Sequence, residues 1–276
     1  MSNEHETIDN TLINMMLEDI ELEGENVKQV FPKVKLLTYT PEPLEVVNIA
    51  ARRCYSDLDN DTLVSYVEGL EDEELGKFIN GVIKTGHTST VEHAVFTFMI
   101  EGVSLVLLKQ ITRARIASFS VQSERYVAMD DGFSYIMPVS IMELGDEAMA
   151  EYAAQMCTMH EWYKGWREKG IEPEDARYVI PQAAETKYIV TMNIRELLHF
   201  LSLRCCERAQ WELRHAAKDM LWELQNVLPE IFGKVGPSCV MKGKCPEGKR
   251  SCGRADDVKK EFAALFEMNK ILRDAG

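Results

Sequence analysis

The sequence predicts an α+β fold, in which strands from distant parts of the chain meet in a sheet and helices pack on it. Three observations lead there. β-rich and helical runs interleave along the whole length, no repeat or low-complexity stretch interrupts them, and no Pro/Ser-rich linker separates two halves. A hydrophobic content of 46% and a charged content of 28% over 276 residues allow a sizeable buried core. Residues 1–30 read as an acidic N-terminal extension in which Ile8, Leu12, Ile13, Met16 and Ile20 keep partly helical spacing, with 31–276 a single domain.

The elements follow in order along the chain. Residues 34–40 form a strand that Pro41 ends. Residues 43–55 form a helix with Val46, Val47, Ala50 and Ala51 on one face, and 71–84 a second helix closed by Gly86. The run A-V-F-T-F-M-I-E at 94–101 is a strand, and 103–112 a helix. A short strand at 133–138 precedes a long Ala-, Met- and Glu-rich helix at 144–169, which Gly170 stops. Residues 187–192 are β-rich, Asn193 is placed to cap a helix from Ile194 onward, and 256–273 is the last helix.

Net charge of −14 and a pI near 5.0 argue against generic nucleic-acid binding, which needs a basic face. The N-terminus M-S-N-E-H-E-T is unlike a signal peptide, and no apolar run approaches the ~20 residues that span a bilayer. The expectation is a soluble, cytoplasmic protein with no membrane and no nucleic-acid partner. Seven cysteines, two of them adjacent at Cys205 and Cys206, do not make a secreted disulfide framework. Residues 203–209 read as helix, with both thiols as packing. Cys239, Cys245 and Cys252 lie in a Gly/Pro/Lys-rich stretch that lacks CxxC pairing. They are open to two readings: a zinc site completed by a fourth ligand from elsewhere, or free thiols on an ordered loop.

One short segment opposes the overall charge. Residues 113–126, R-A-R-I-A-S-F-S-V-Q-S-E-R-Y, carry three arginines and three serines just after an apolar helical run. Across 103–128 four basic residues stand against one acid, so this stretch is +3 in an acidic chain. Guanidinium forks with hydroxyls suit a phosphate or another planar anion. The alternative is a solvated helix end with ordinary surface arginines.

Several separated motifs then agree. Arg113-Ala114-Arg115, seven residues and Ser123, continuing as Glu124-Arg125-Tyr126, resemble the R-H-R-x7-S signature of the flavin-dependent thymidylate synthases. Upstream, G-H-T-S-T-V-E-H at 86–93 is similar to that family's GHxSxxEH stretch. Downstream, A-R-Y-V-I-P at 176–181, T-M-N-I-R-E-L at 191–197 and L-R-C-C-E-R-A-Q-W-E at 203–212 match in the right order, and the Cys-rich end recurs in bacterial members. The resemblance spans roughly 33–255 and departs at two points: Ala114 replaces the middle histidine, and Leu105 follows G-V-S where the family often has arginine.

The resemblance implies a mixed, mainly antiparallel sheet packed with a helical bundle, and a homotetramer with sites drawn from several subunits. It implies reductive methylation of dUMP to dTMP with FAD, 5,10-methylenetetrahydrofolate and NADPH or NADH. Arg204 is implied as the group polarising the uracil ring; its alternative is a buried helix arginine paired with Glu207 or Glu212. Gln110, Arg113, Ser123, Glu124, Arg125 and Arg177 would take the nucleotide, with backbone amides from Val121 to Glu124 completing an anion cradle. Ser123 invites a nucleophile reading, but with no His or Asp partner nearby in sequence it reads as a hydrogen-bond donor to substrate, and Glu124 with Arg125 as an exposed pair. Ser89, Arg113, Ala114, Arg115, Asn193, Arg195 and His199 would meet FAD, with His87 at its border; Asn193 as a plain helix cap and His87 as a cap near Gly86 stay open. No metal is expected, because H-x-x-x-x-E-H at His87, Glu92 and His93 differs from the H-x-x-E-H zinc pattern. Ala114 and Leu105 keep two other readings open: a non-catalytic nucleotide-binding homologue or partner subunit, and a flavin reductase or oxidase without methyl transfer.

Overall fold

The structure, a computed structural model, describes residues 23, 24 and 26–275. The helical expectation for the first twenty residues lies outside the described residues. In chain order the strands and longer helices are β1 (Glu23–Gly24), β2 (Val27–Gln29), β3 (Lys33–Tyr39), α1 (Pro43–Arg53), α2 (Asn60–Glu68) and α3 (Asp72–Lys84). They continue as β4 (Val95–Ser104), α4 (Leu105–Ile111), β5 (Ala117–Val121), β6 (Phe133–Tyr135) and α5 (Asp146–Glu168). The last are β7 (Glu185–Asn193), α6 (Ile194–Arg204), α7 (Trp211–Val227) and α8 (Ala255–Ala275).

This is the predicted α+β class. One sheet has the order β1-β2-β6, with β1 antiparallel and β6 parallel to β2; the other has the order β3-β4-β7-β5. Strands far apart in sequence are neighbours in both. Several boundaries differ from expectation. Val103 and Ser104 finish β4 instead of opening the helix, and α2, β5 and α7 are additional elements. Residues after Arg204 leave the helix, so the Cys205–Cys206 segment is a turn rather than the helix read from the sequence.

Two compact units can be distinguished. The first comprises the described residues up to Lys33, Glu101–Gln110 and Val121–Tyr188. Its core gathers Val27, Phe133, Tyr135, Met137, Met149, Met156 and Ala184 between the three-stranded sheet and α5. Two glycines make close approaches possible: a Cβ on Gly102 (φ 68°) would stand 1.8 Å from the Phe31 carbonyl oxygen, and one on Gly132 2.0 Å from that of Asn26. The Gly102 amide donates to Glu185 Oε1 at 2.9 Å, which fixes the chain as β4 runs toward α4.

The second unit comprises Val34–Ile100, Ile111–Ser120 and Ile189–Gly276. Pro43 opens α1, where its missing N–H costs nothing. The buried face of α1 is Leu44, Val47, Asn48 and Ala51, one position round from the expected stripe, because Asn48 turns inward. Its amide donates to the Leu44 and Leu75 carbonyls at 2.9 and 3.2 Å and so ties α1 to α3. On α7, burial first and Glu223 second push the Asp219 carboxyl up to about 6 from 3.8. Between those pH values the unfolded chain ionises this group while the folded chain keeps its proton. Its cost to folding is therefore absent below the lower value and complete above the higher one. Asp219→Asn should raise stability at pH 8 by up to about 3 kcal/mol and barely change it near pH 4. Urea unfolding of both proteins at the two pH values checks this; equal gains at both would contradict it.

Candidate active site

Two junctions between elements place the arginines. α4 ends in a turn in which the Ala114 amide donates to the Ile111 carbonyl at 3.0 Å, and β5 begins at Ala117. Arg113, Ala114 and Arg115 thus sit in a helix-to-strand turn, with both arginines exposed and Ala114 half-buried. At the second junction β7 runs directly into α6. Asn193 is the cap: its Oδ1 accepts from the Glu196 amide at 2.9 Å, leaving the side-chain nitrogen as the atom it has to offer.

These junctions and the turn Thr88–His93 line one cavity of about 490 Å³. Arg113, Ala114, Arg115, Asn193, Arg195, His199 and Arg204 all border it, together with Glu92, Ile116, Glu196, Phe200 and Leu203. All of these residues belong to the second unit. Four arginines against two glutamates make the lining positive. Arg195 hydrogen-bonds Glu92, which neutralises one of them. Arg204 is partly buried, and its guanidinium is held below the usual arginine range by burial first and by the neighbouring Arg113 second. Two like charges held close in a partly desolvated site favour an anionic or electron-rich ligand, which would relieve both terms. The expected Arg204–Glu207 pairing has a competitor, since Glu207 is engaged by Arg254 at 2.9 Å and Arg214 at 3.7 Å.

A second cavity, of about 140 Å³, lies within the first unit and is lined by Ser123, Glu124, Arg177, Thr186 and Lys187 among others. Arg177 donates through Nε to the Pro173 carbonyl at 3.0 Å and through Nη2 to the Val127 carbonyl at 2.9 Å. Its Nη1 is buried and has no hydrogen-bond partner among the described residues, as is also true of Thr186 Oγ1. A buried, unmatched guanidinium nitrogen is costly unless something binds it. Ser123 Oγ accepts from the Arg125 amide at 3.2 Å, which stabilises the turn.

Other expected site residues lie elsewhere. His87 and Ser89 are exposed on the turn that supplies Glu92 and do not border the first cavity. Gln110 is on α4 and Val121 ends β5; neither borders either cavity. The expected cradle of amides is reduced, because strand pairing commits the Gln122 amide to the Lys187 carbonyl at 2.8 Å. Arg125 is exposed and pairs with Glu174 at 2.6 Å, correcting its expected pairing with Glu124. No three His, Cys, Asp or Glu side chains are placed to hold a metal ion among the described residues. Glu196, Phe200 and Leu203 were not foreseen, although their helical spacing from Asn193 puts them on one face of α6.

A family model described as "Thymidylate synthase complementing protein" matches residues 35–230, a span that contains both cavities. The chain belongs to this family. It is 46% identical over 235 residues to a flavin-dependent thymidylate synthase of Geobacter sulfurreducens, covering 84% of this chain and 99% of that protein. It is 45% identical over 245 residues to the corresponding protein of Clostridium tetani, covering 83% and 96%. Similarity extends to the archaeon Pyrococcus horikoshii, at 41% over 230 residues, covering 78% and 90%. With nearly the whole of each relative covered, the match is to entire proteins and not to a shared module.

Proposed function

We propose that this chain is a flavin-dependent thymidylate synthase, converting dUMP to dTMP with methylenetetrahydrofolate as carbon donor and NADPH or NADH as reductant. The observation that carries this reading is one cavity in which Arg113, Arg115, Arg195 and Arg204 converge with Asn193 and His199 from remote segments. The flavin is FAD. Arg113, Arg115 and Arg195 suit its pyrophosphate, because guanidinium forks match phosphate oxygens. The Asn193 amide and the His199 ring take polar edges, while Ala114, Ile116, Phe200 and Leu203 supply apolar surface for the flat ring. His87 and Ser89, which lie outside the cavity's lining on the turn that supplies Glu92, are assigned the part of FAD that extends beyond it. When bound, FAD supplies the reducing equivalents for the new methyl group.

Arg204 takes the O2/N3 edge of the uracil and stabilises the negative charge that makes C5 nucleophilic. Its partly desolvated position strengthens that effect. Arg177, Ser123 and Glu124 are assigned the sugar and phosphate in the assembled homotetramer, and Gln110, Val121 and Arg125, which border neither cavity of the single chain, contribute only there. The chain works in the cytoplasm as a homotetramer whose sites draw on several copies. Tritium release from 5-tritiated dUMP, in the presence of folate, NADPH and FAD, tests the reading. A colourless protein that cannot be loaded with FAD and releases no tritium would overturn it.

Ala114 and Leu105 favour one competing reading, a non-catalytic nucleotide-binding homologue or partner subunit, since Ala114 borders the first cavity at the middle position of the R-H-R-x7-S signature that this segment resembles. Rescue of a thymidine auxotroph by this chain alone eliminates that alternative. NADPH oxidation without dTMP formation would instead indicate a flavin oxidase. The turn at Ala114 is held by a backbone bond that a side-chain change leaves in place. Ala114→His should therefore keep or raise the rate of dTMP formation. A sharp loss would show that the cavity is built around the alanine methyl.

A further inference from the structure

A third cavity, of about 360 Å³, is lined by four of the seven cysteines: Cys206, Cys239, Cys245 and Cys252. Three of them come from the segment beyond residue 230, where the family model ends, and the fourth from the turn after α6. All are free thiols. Leu203 and Arg204 border this cavity as well as the first one. No three of these sulfurs are placed to enclose an ion, while Cys206 and Cys245 both lie near enough to Cys239 to act electrostatically on its thiol.

Which of the two pairs with Cys239 is set by the backbone. The short helix Ser238–Met241 packs on α6, and Ser238 Oγ donates to the Ser202 carbonyl at 3.4 Å. Cys239 follows Ser238, and Cys206 lies in the turn that ends α6, shortly after Ser202, so both thiols border this cavity close in sequence to one fixed contact. Cys205, the neighbour of Cys206, is a poor candidate: it is fully buried and its thiol is pushed up to about 12. We propose that Cys206 and Cys239 form a reversible disulfide when a hydroperoxide reaches this cavity.

The two thiols have different parts in it. Burial, with the Cys206 and Cys245 sulfurs adding to it, holds the Cys239 thiol above its usual range, which makes it the poorer first nucleophile. Cys206 is the more accessible of the two. Its thiolate attacks one peroxide oxygen, forming a sulfenic acid, and the other oxygen leaves as hydroxide, which becomes water. The Cys239 thiol then attacks the sulfenic sulfur and expels a second water, closing the S–S bond. Two thiols lose two electrons and two protons, and one hydrogen peroxide becomes two waters. Transient, sensing disulfides are the kind that occur in reducing compartments. The bond would tie down the turn that directly follows Arg204.

The test treats the full-length, FAD-loaded protein with hydrogen peroxide, caps remaining thiols and maps linked peptides by mass. The expected result is a Cys206–Cys239 link, a loss of about 2 Da that dithiothreitol reverses. In Cys239→Ser the link is absent and Cys206 is instead trapped as a dimedone adduct; in Cys206→Ser neither product forms. A link elsewhere, or thiols that stay reduced because a stoichiometric zinc ion protects them, overturns the proposal. The mass readout is independent of the reaction assigned above. The effect on turnover does rest on that assignment: linkage should slow dTMP formation about tenfold or more, reversibly, because small displacements of a positioning group are costly. A linked protein turning over at the reduced rate removes the coupling to Arg204.

Discussion

Arg204→Ala is expected to lower dTMP formation by about 10²–10³-fold while FAD remains bound. The size follows from where the side chain acts. Arg204 is partly buried beside Arg113, so its charge is less screened than that of a surface arginine. Contacts that strengthen as charge develops on the uracil appear in kcat, so kcat and kcat/KM should fall together. Arg204→Lys keeps a charge but loses the planar fork and should recover little of the rate. Steady-state kinetics with flavin content measured on the same samples decides the matter. Near-normal rates in the alanine variant would remove Arg204 from its role, and loss of flavin would make it a cofactor ligand instead.

Arg177→Ala should show the opposite signature. Two of its nitrogens hold the Pro173 and Val127 carbonyls, and the third is buried without a partner among the described residues. A charge-assisted contact to phosphate is present in both ground and transition states, so its loss is expected mainly in KM. The KM for dUMP should rise about 10–100-fold, the equivalent of one or two strong ionic hydrogen bonds. The kcat at saturation should change far less. A thermal melt of the variant separates this effect from loosening of the two backbone contacts. An unchanged KM would show that the second cavity does not bind the nucleotide.

Much of the fold and part of the site can be read from local chemistry. The Asn193 cap is legible because a polar residue between a β-rich run and an apolar helical run has few other uses. The arginine turn stands out by charge contrast with an acidic chain. β5 is not legible in the same way, since A-S-F-S-V is a short alternation hidden behind a helical run. The stripe on α1 differs from the expected one because the side chain that decides it is Asn48, a polar residue satisfied internally. Thr186 and Lys187 go unseen because a strand's two faces look alike in sequence until its neighbours are known. The meeting of Cys206 with the C-terminal thiols is likewise a product of packing, set by Ser238 resting on α6 and not by any spacing.

The central claim is that guanidinium groups hold both a flavin and a uracil nucleotide for one reaction. Titration of dUMP into the FAD-loaded protein, followed by flavin absorbance, tests it most directly. A saturable perturbation of the flavin spectrum is predicted, strongly weakened in Arg204→Ala and shifted to higher dUMP concentration in Arg177→Ala. A protein that binds FAD yet leaves its spectrum unmoved at any dUMP concentration would contradict the account.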